Sequence, residues 1–355
     1  MRACAWLSTV LLAAPALLTP ASSHAQAAPR LTITAPGLWL RAGPNLSAAR
    51  TQPVFRGESL DVLAHTRDGD WLRIAAAEKA GWLPAAFGAL SGDLRTVNAV
   101  APSKPPVVAR ARRVRPALPA WISVPDVARA RHAQFLKRGR LSAFAVAGDC
   151  NSEPDAFMRR LAYGAFDISR YPKYAPLVQR YEQSFVRHSL AASGSFNAQA
   201  LFVSDWADAT RCGGVGPLDC ELRESAASVL FISIGTGDTF DWRDFEPRFR
   251  RVISATLEWG AVPVLYTKSD SLESEQSDAP YDAINAVIRN VAREASLPLI
   301  DFAIAARDLP NNGLRDEGNA DFHLSEAGSD MRILAALRVL DVLQDPALSR
   351  PQSTR

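Results

Sequence analysis

The 355 residues are 48% apolar and 22% charged, with a formal net charge of +3. That is ample material for more than one hydrophobic core, and it excludes a disordered, charge-dominated chain. Beyond the first two dozen positions no run approaches the roughly 20 apolar residues that a membrane-spanning helix needs.

Residues 1–27 read as an export signal. Arg2 supplies a basic start, "MRACAWLSTVLLAAPALL" an apolar stretch too short to span, and Ala25-Gln26-Ala27 small residues at the cleavage positions. No cysteine follows closely enough to carry a lipid. The expectation is a periplasmic or extracellular protein, where disulfides persist. Cys4 leaves with the signal, so Cys150, Cys212 and Cys220 remain, an odd number. "CGGVGPLDC" closes a short loop that makes Cys212–Cys220 the most economical bridge and leaves Cys150 free. Spacing alone also permits Cys150 to pair with either.

Residues 31–90 alternate short apolar runs with turn residues: "LTIT", "LWLRAGP", "SLDVLAH", "DGDWLRIA", "AGWLPAAF". Period-2 patterning punctuated by Gly, Pro and Asp-Gly predicts a small all-β unit, expected to be a barrel. "GLWLRAGPNLSAA", "GESLDVLAHTRDGDWLRIA" and "AGWLPAAF" resemble a bacterial SH3 domain. The resemblance implies a module that binds cell-wall peptide or glycan or serves as an adaptor, with Trp39, Trp71 and Trp82 forming a groove or filling the core.

Residues 91–140 read as a proline- and arginine-rich linker. Positions 104–140 hold ten Lys/Arg against Asp126 alone, a local charge of +9 that leaves about −6 for the rest of the chain. An extended linker and a tether for anionic envelope polymers both fit this composition. No aromatics are interleaved with the arginines, so a nucleic-acid partner is not expected. His132 falls in this stretch.

From 141 to 347 strands alternate with helices. "SAFAVAG" (142–148), "SVLFISIG" (228–235), "AVPVLYTK" (261–268) and "LPLID" (297–301) read as buried strands. Helical spacing recurs over 245–259, 281–295 and 326–343. This repetition predicts a three-layer α/β sandwich with a mostly parallel sheet, in which ligands bind beyond the carboxyl ends of the strands. The residues at that edge are Asp149-Cys150-Asn151-Ser152, Thr236-Gly237-Asp238-Thr239 and Lys268-Ser269-Asp270, together with Asp321 and His323 from "GNADFHLSEAG". His188 lies in an irregular stretch. Ser152 reads as the N-cap of a helix starting near Glu153–Pro154, and Asp149 as a structural residue of the turn. Lys268 is expected either to pair with Asp270 or to contact substrate.

Acyl transfer needs a nucleophile, a base, a group that orients the base, and donors for the developing oxyanion. "GDCNS", "GTGDT" and "DFHLS" together resemble the SGNH (GDSL-type) hydrolases. The resemblance implies Cys150 at the nucleophile position, His323 as base, Asp321 as its acid, and oxyanion or substrate contacts from Gly194, Ser195 and Asn197 of "SLAASGSFNAQAL" and from Gly237 and Asp238. Three departures stand out. The nucleophile is Cys rather than Ser, Gly237 occupies the oxyanion Asn position, and Asp321 lies two residues before His323 instead of three, with Ala320 in the usual place of the acid. The loss of one oxyanion donor typically costs about 10²–10³ in rate.

Two functions compete on this reading. One is an exported ester hydrolase of reduced activity, a deacylase of envelope or extracellular glycans acting on an acylated small molecule or polysaccharide. The other is a catalytically degenerate protein of the same fold that binds cell-wall or glycan ligands. A redox or cross-linking role for Cys150 is a third and weaker reading. No metal or cofactor signature occurs: there is no H-E-x-x-H, paired Cys-x-x-Cys or phosphate loop, and "GTGDTF" lacks the glycine offsets of a dinucleotide fingerprint.

Overall fold

A computed structural model describes residues 28–76, 79–102, 117–273, 277–316 and 321–344. The expected export signal, the most arginine-rich part of the basic stretch (103–116), Ala320 and positions 345–347 lie outside the described residues.

The first unit is a single sheet of eight short strands: β1 (Arg30–Ile33), β2 (Gly37–Arg41), β3 (Arg50–Phe55), β4 (Ser59–Thr66), β5 (Trp71–Ala76), β6 (Lys79–Pro84), β7 (Gly88–Ser91) and β8 (Asn98–Val100). Its order is β3-β2-β6-β5-β4-β1-β7, with β8 added alongside β4. Every pairing is antiparallel except that of β4 with β8. The period-2 pattern behaves as pleating requires: along β4, Leu60, Val62, Ala64 and Thr66 are buried and alternate with more exposed residues. The tryptophans do not line an open groove. Trp71 is core at 3% exposure, and Trp82 packs half-buried against the same cluster. Trp39 lies beneath the Arg50 guanidinium and faces Gly164 of the second unit.

The second unit carries the sheet expected from the apolar runs. Its strands are β9 (Ile122–Ser123), β10 (Leu141–Gly148), β11 (Ala191–Ala192), β12 (Ala227–Ser233), β13 (Val262–Tyr266) and β14 (Leu299–Ile300), in the order β11-β10-β12-β13-β14-β9. All pairs are parallel except β14 with β9. Alternate side chains of each central strand enter different cores. Phe144, Val146, Val229, Phe231, Val264 and Tyr266 face one side, with helix Glu326–Leu343 and the short helices of 159–186. Ala145, Ala147, Leu230, Ile232 and Leu265 face the other, with helices Pro217–Ser225, Phe245–Trp259 and Ala283–Glu294. Two cores separated by one sheet make three layers. Each fully buried phenylalanine there contributes about 1.5–3 kcal/mol.

Two differences from the linear reading concern how the units are joined, the first of them in the stretch 91–140. Part of it belongs to the second unit: β9 closes the edge of the parallel sheet and helix Asp126–Lys137 packs on it. His132 is buried at 1% exposure, with its ring nitrogens 3.1 Å from the Leu343 carbonyl and 3.1 Å from Ser228 Oγ. The two units also share one core, which runs from Leu31, Leu40 and Phe87 into Leu161, Tyr163 and Phe166. Arg41, 1% exposed, donates from Nη2 to the Leu161 carbonyl at 3.0 Å, and Arg50 donates to the Gly164 carbonyl at 2.7 Å and to Asp167 at 2.8 Å. Apolar patterning marks these residues as buried but not which unit they bury against.

Candidate active site

Strands β11, β10, β12, β13 and β14 follow the doubly wound order in which the chain reverses direction beside its first central strand. In such sheets a crevice opens at that reversal, beyond the carboxyl ends of the two central strands. Here those ends are Gly148 of β10 and Ser233 of β12, which pair in register. The approach is tight: a Cβ on Gly148 would lie 2.2 Å from both the Ser233 carbonyl and Ser152 Oγ, so only glycine fits. After β12, Gly235 takes a φ of +140°, and a Cβ there would meet Ile284 at 2.6 Å.

Beyond Gly148 the chain makes a 3₁₀ turn, Cys150–Ser152, capped by Asp149, whose carboxylate accepts from the Asn151 N–H at 3.1 Å. The expected helix at 153–154 does not form there; the next α-helix is Arg159–Tyr163. Ser152 is accordingly not a helix cap. Its buried hydroxyl donates to the Ser233 carbonyl at 3.3 Å. Cys150 is half-buried with a free thiol, whereas Cys212 and Cys220 are joined by a disulfide.

Asn151, placed at the ligand edge but given no role in the linear reading, fastens the turn to the loop that carries His323. Its Nδ2 donates to the Phe322 carbonyl at 2.7 Å, and its Oδ1 accepts from the Leu324 N–H at 2.9 Å. One amide thus brackets His323 from both sides and holds that loop beside Cys150. The Asn151 carbonyl in turn accepts from Arg332, a buried guanidinium stacked on Phe157 and Tyr266. The Phe322 and His323 rings lie 4.2 Å apart, and one Asp321 oxygen accepts from Asn311 Nδ2.

The proposed oxyanion residues are gathered on the other side of the turn. A Cβ on Gly194 would lie 3.6 Å from the Cys150 Cβ, so this glycine sits against the thiol-bearing residue. Its N–H is not free, because it donates to Glu153 Oε1 at 2.7 Å. Ser195 is exposed. Asn197 Oδ1 accepts from the Ala200 N–H at 2.9 Å, and a Cβ on Gly237 would lie 3.6 Å from the Asn197 Cβ. Asp238 is fully buried and takes the Ala198 N–H on both oxygens at 3.0 and 3.1 Å, which ties the two loops together.

The electrostatics disfavour a thiolate. Burial first, then the Asp149 carboxylate, push the Cys150 thiol up to about 12, with Glu153 and Asp270 adding to the rise. Burial also raises Asp149 to about 6 and Asp238 to about 7. Two buried cations at this edge are committed to other groups. Lys268, 8% exposed, bridges Asp270 and Glu273 at 2.5 Å each, and Arg332 is held by Asn151 and the aromatic rings. Among the described residues no group of three or more His, Cys, Asp or Glu side chains is placed to hold a metal ion.

Two clefts open along the carboxyl edge of the sheet. A polar one of about 330 Å³ is lined by Lys268, Asp270 and Asp321. A larger one of about 810 Å³ runs between the two units and is lined by Glu153, Ser193, Phe196 and Trp206 on one wall and Arg56 and Phe87 on another.

No family model matches the chain, and no curated protein matches it. Solved structures with a similar backbone include a lipolytic protein of the G-D-S-L family from Desulfitobacterium hafniense DCB-2 (16% identity, 56% of this chain and 99% of that one, TM-score 0.36). Another is TesA (14% identity, 57% and 99%, TM-score 0.38). A Bacillus subtilis protein reaches across both units (16% identity, 89% of this chain and 77% of that one, TM-score 0.36). At these scores the likeness decides nothing about the site, and the assignment of its chemistry stands on the geometry above.

Proposed function

We propose that the chain is an exported SGNH-type protein that binds an ester-bearing carbohydrate beside Cys150 and hydrolyses it far more slowly than an intact serine site would. One observation carries this reading: the Gly194 N–H, the donor a tetrahedral oxyanion would need, is already taken by the Glu153 carboxylate. A negative group there opposes a second negative charge as well as competing for the hydrogen bond. The raised Cys150 thiol and the absent side chain at Gly237 weaken the same step from two further directions. Export rests on the leader-like N-terminus, and the Cys212–Cys220 disulfide is compatible with it.

A second reading, an active cysteine-dependent esterase, draws on the Asn151 clasp, which keeps the His323 loop at the thiol. An SH3-like role for the first unit in holding wall peptide gets no support from its tryptophans, which are buried in the core or turned to the second unit.

The test compares hydrolysis of a small activated acetate ester by the wild type, Cys150→Ala and His323→Ala, alongside retention on acylated glycans. The expected result is a wild-type rate below about 1 s⁻¹ that falls to background in both variants, with glycan retention intact in Cys150→Ala. A wild-type turnover in the usual enzyme range of about 1–10³ s⁻¹ that vanishes in both variants refutes the proposal in favour of the esterase.

A further inference from the structure

The larger cleft has features that neither the thiol nor the oxyanion residues explain. Trp206 is 50% exposed on its wall, backed edge-on by Phe196 at 6.3 Å between ring centroids, so a large aromatic face is presented to solvent and held rigidly. Amphipathic rings of this kind bind flat apolar faces such as those of pyranose rings. Around them stand charged groups whose commitments differ by sign. Glu153 is spent on the Gly194 N–H, and Asp208 on the Thr210 and Arg211 N–H groups. Arg211 pairs with Glu224.

Two arginines, one from each unit, have no carboxylate in ion-pair range among the described residues: Arg56 and Arg159. Arg56 is exposed and holds only the Thr34 carbonyl, at 3.1 Å. Arg159 is half-buried over the Phe87 and Tyr163 rings at 4.8 and 5.2 Å, donates from Nε to the Val186 carbonyl at 2.8 Å and has Nη1 3.4 Å from His188 Nδ1, which leaves Nη2 for a ligand. Both guanidiniums bear on Tyr163, and Arg159, Arg187 and Arg211 together with burial hold the His188 imidazole below its ordinary range. Asp155, exposed, is the carboxylate that faces the same space.

We propose that this cleft binds a carboxylate-bearing oligosaccharide, with a sugar ring on Trp206 and its carboxylate between Arg56 and Arg159. The first β unit is then one wall of the ligand site. Planar guanidiniums suit a carboxylate because they offer paired parallel donors, and a half-buried one is little screened by salt. This deepens the ester-glycan reading by naming its polymer, and it rests on that reading for the link to Cys150.

Calorimetric titration of the full chain tests it with an oligogalacturonate, a neutral xylo-oligosaccharide of equal length, a sulfated oligosaccharide and poly-glutamate. The oligogalacturonate is expected to bind tightest, with Arg56→Gln and Trp206→Ala each weakening it about tenfold. Arg56→Gln is the decisive variant, because Arg159 also supports the interface between the units. Absence of oligogalacturonate binding, equal or tighter binding of any of the other three probes, or an unchanged affinity in Arg56→Gln overturns the inference. Retention of a neutral acylated glycan without oligogalacturonate binding defeats this inference alone; retention of neither ligand defeats the proposed function as well.

Discussion

The protonation of Cys150 can be tested without knowing any substrate. With the thiol at about 12 against an ordinary value of 9.0, the site holds about 10³-fold less thiolate than a typical cysteine at any pH below 9. At pH 7.4 that is about one thiolate in 10⁴–10⁵ molecules. A more basic thiolate is intrinsically more nucleophilic, by about 10^1.2 to 10^1.5 for this difference, so the net slowing towards an alkylating agent is roughly 30- to 60-fold before any shielding. The assay is the rate of iodoacetamide modification as a function of pH, read by mass on the Cys150 peptide so that other cysteines do not contribute. The logarithm of the rate should climb with unit slope past pH 9 and still be rising at about pH 11. A plateau at or below pH 9, or reaction at neutral pH faster than that of free cysteine, refutes the electrostatic argument. It would show that a cation, with His323 the first candidate, stabilises the thiolate.

Three further tests probe the scaffold of the site. Asn151→Ala removes both hydrogen bonds of the clasp and should cost about 1–3 kcal/mol, with faster amide exchange at Leu324; unchanged exchange there means that the loop is held by something else. Asp238→Asn should stabilise the protein at neutral pH. The folded carboxyl titrates near 7 against 3.8 when unfolded, so the native state keeps a proton that the unfolded chain has released. Wild-type stability relative to the variant therefore falls as pH rises from about 4 to about 7, by at most about 4 kcal/mol, and is level above that; a gap that does not vary with pH counts against the shift. His132→Phe keeps the volume and loses the bonds to Leu343 and Ser228, at a cost of about 1–3 kcal/mol by urea midpoint. Burial depresses the folded imidazole, so the wild type alone should also lose stability as pH falls below about 6.5. A variant as stable as the wild type would show that these two bonds do not anchor helix Asp126–Lys137.

The linear order of residues determined the elements, because a strand or a helix with a buried face must repeat its apolar positions at period 2 or 3.6. Helices Phe245–Trp259 and Glu326–Leu343 carry that signal over enough residues to be read directly, while strands β10, β12 and β13, buried on both faces, show instead as continuous apolar runs. It also placed Cys150 at the carboxyl end of a central strand, since Gly148-Asp149 ends a continuous apolar run. Two short elements were not legible: β9 and β11 have two residues each, and no period can be read from two positions, whereas β14, equally short, was marked by the apolar run at 297–301.

Tertiary structure decided everything that depends on which distant groups meet. The fusion of the two units is one instance, because burial of Leu40 and Leu161 says nothing of their sharing a core. The site supplies the others. Glu153 meets the Gly194 N–H from 41 positions away, and Asn151 reaches the His323 loop across more than 170. The charge state of the Cys150 thiol follows from burial and from carboxylates on two loops. Hydrogen bonds and fields act through space and depend on local dielectric, neither of which is written along the chain.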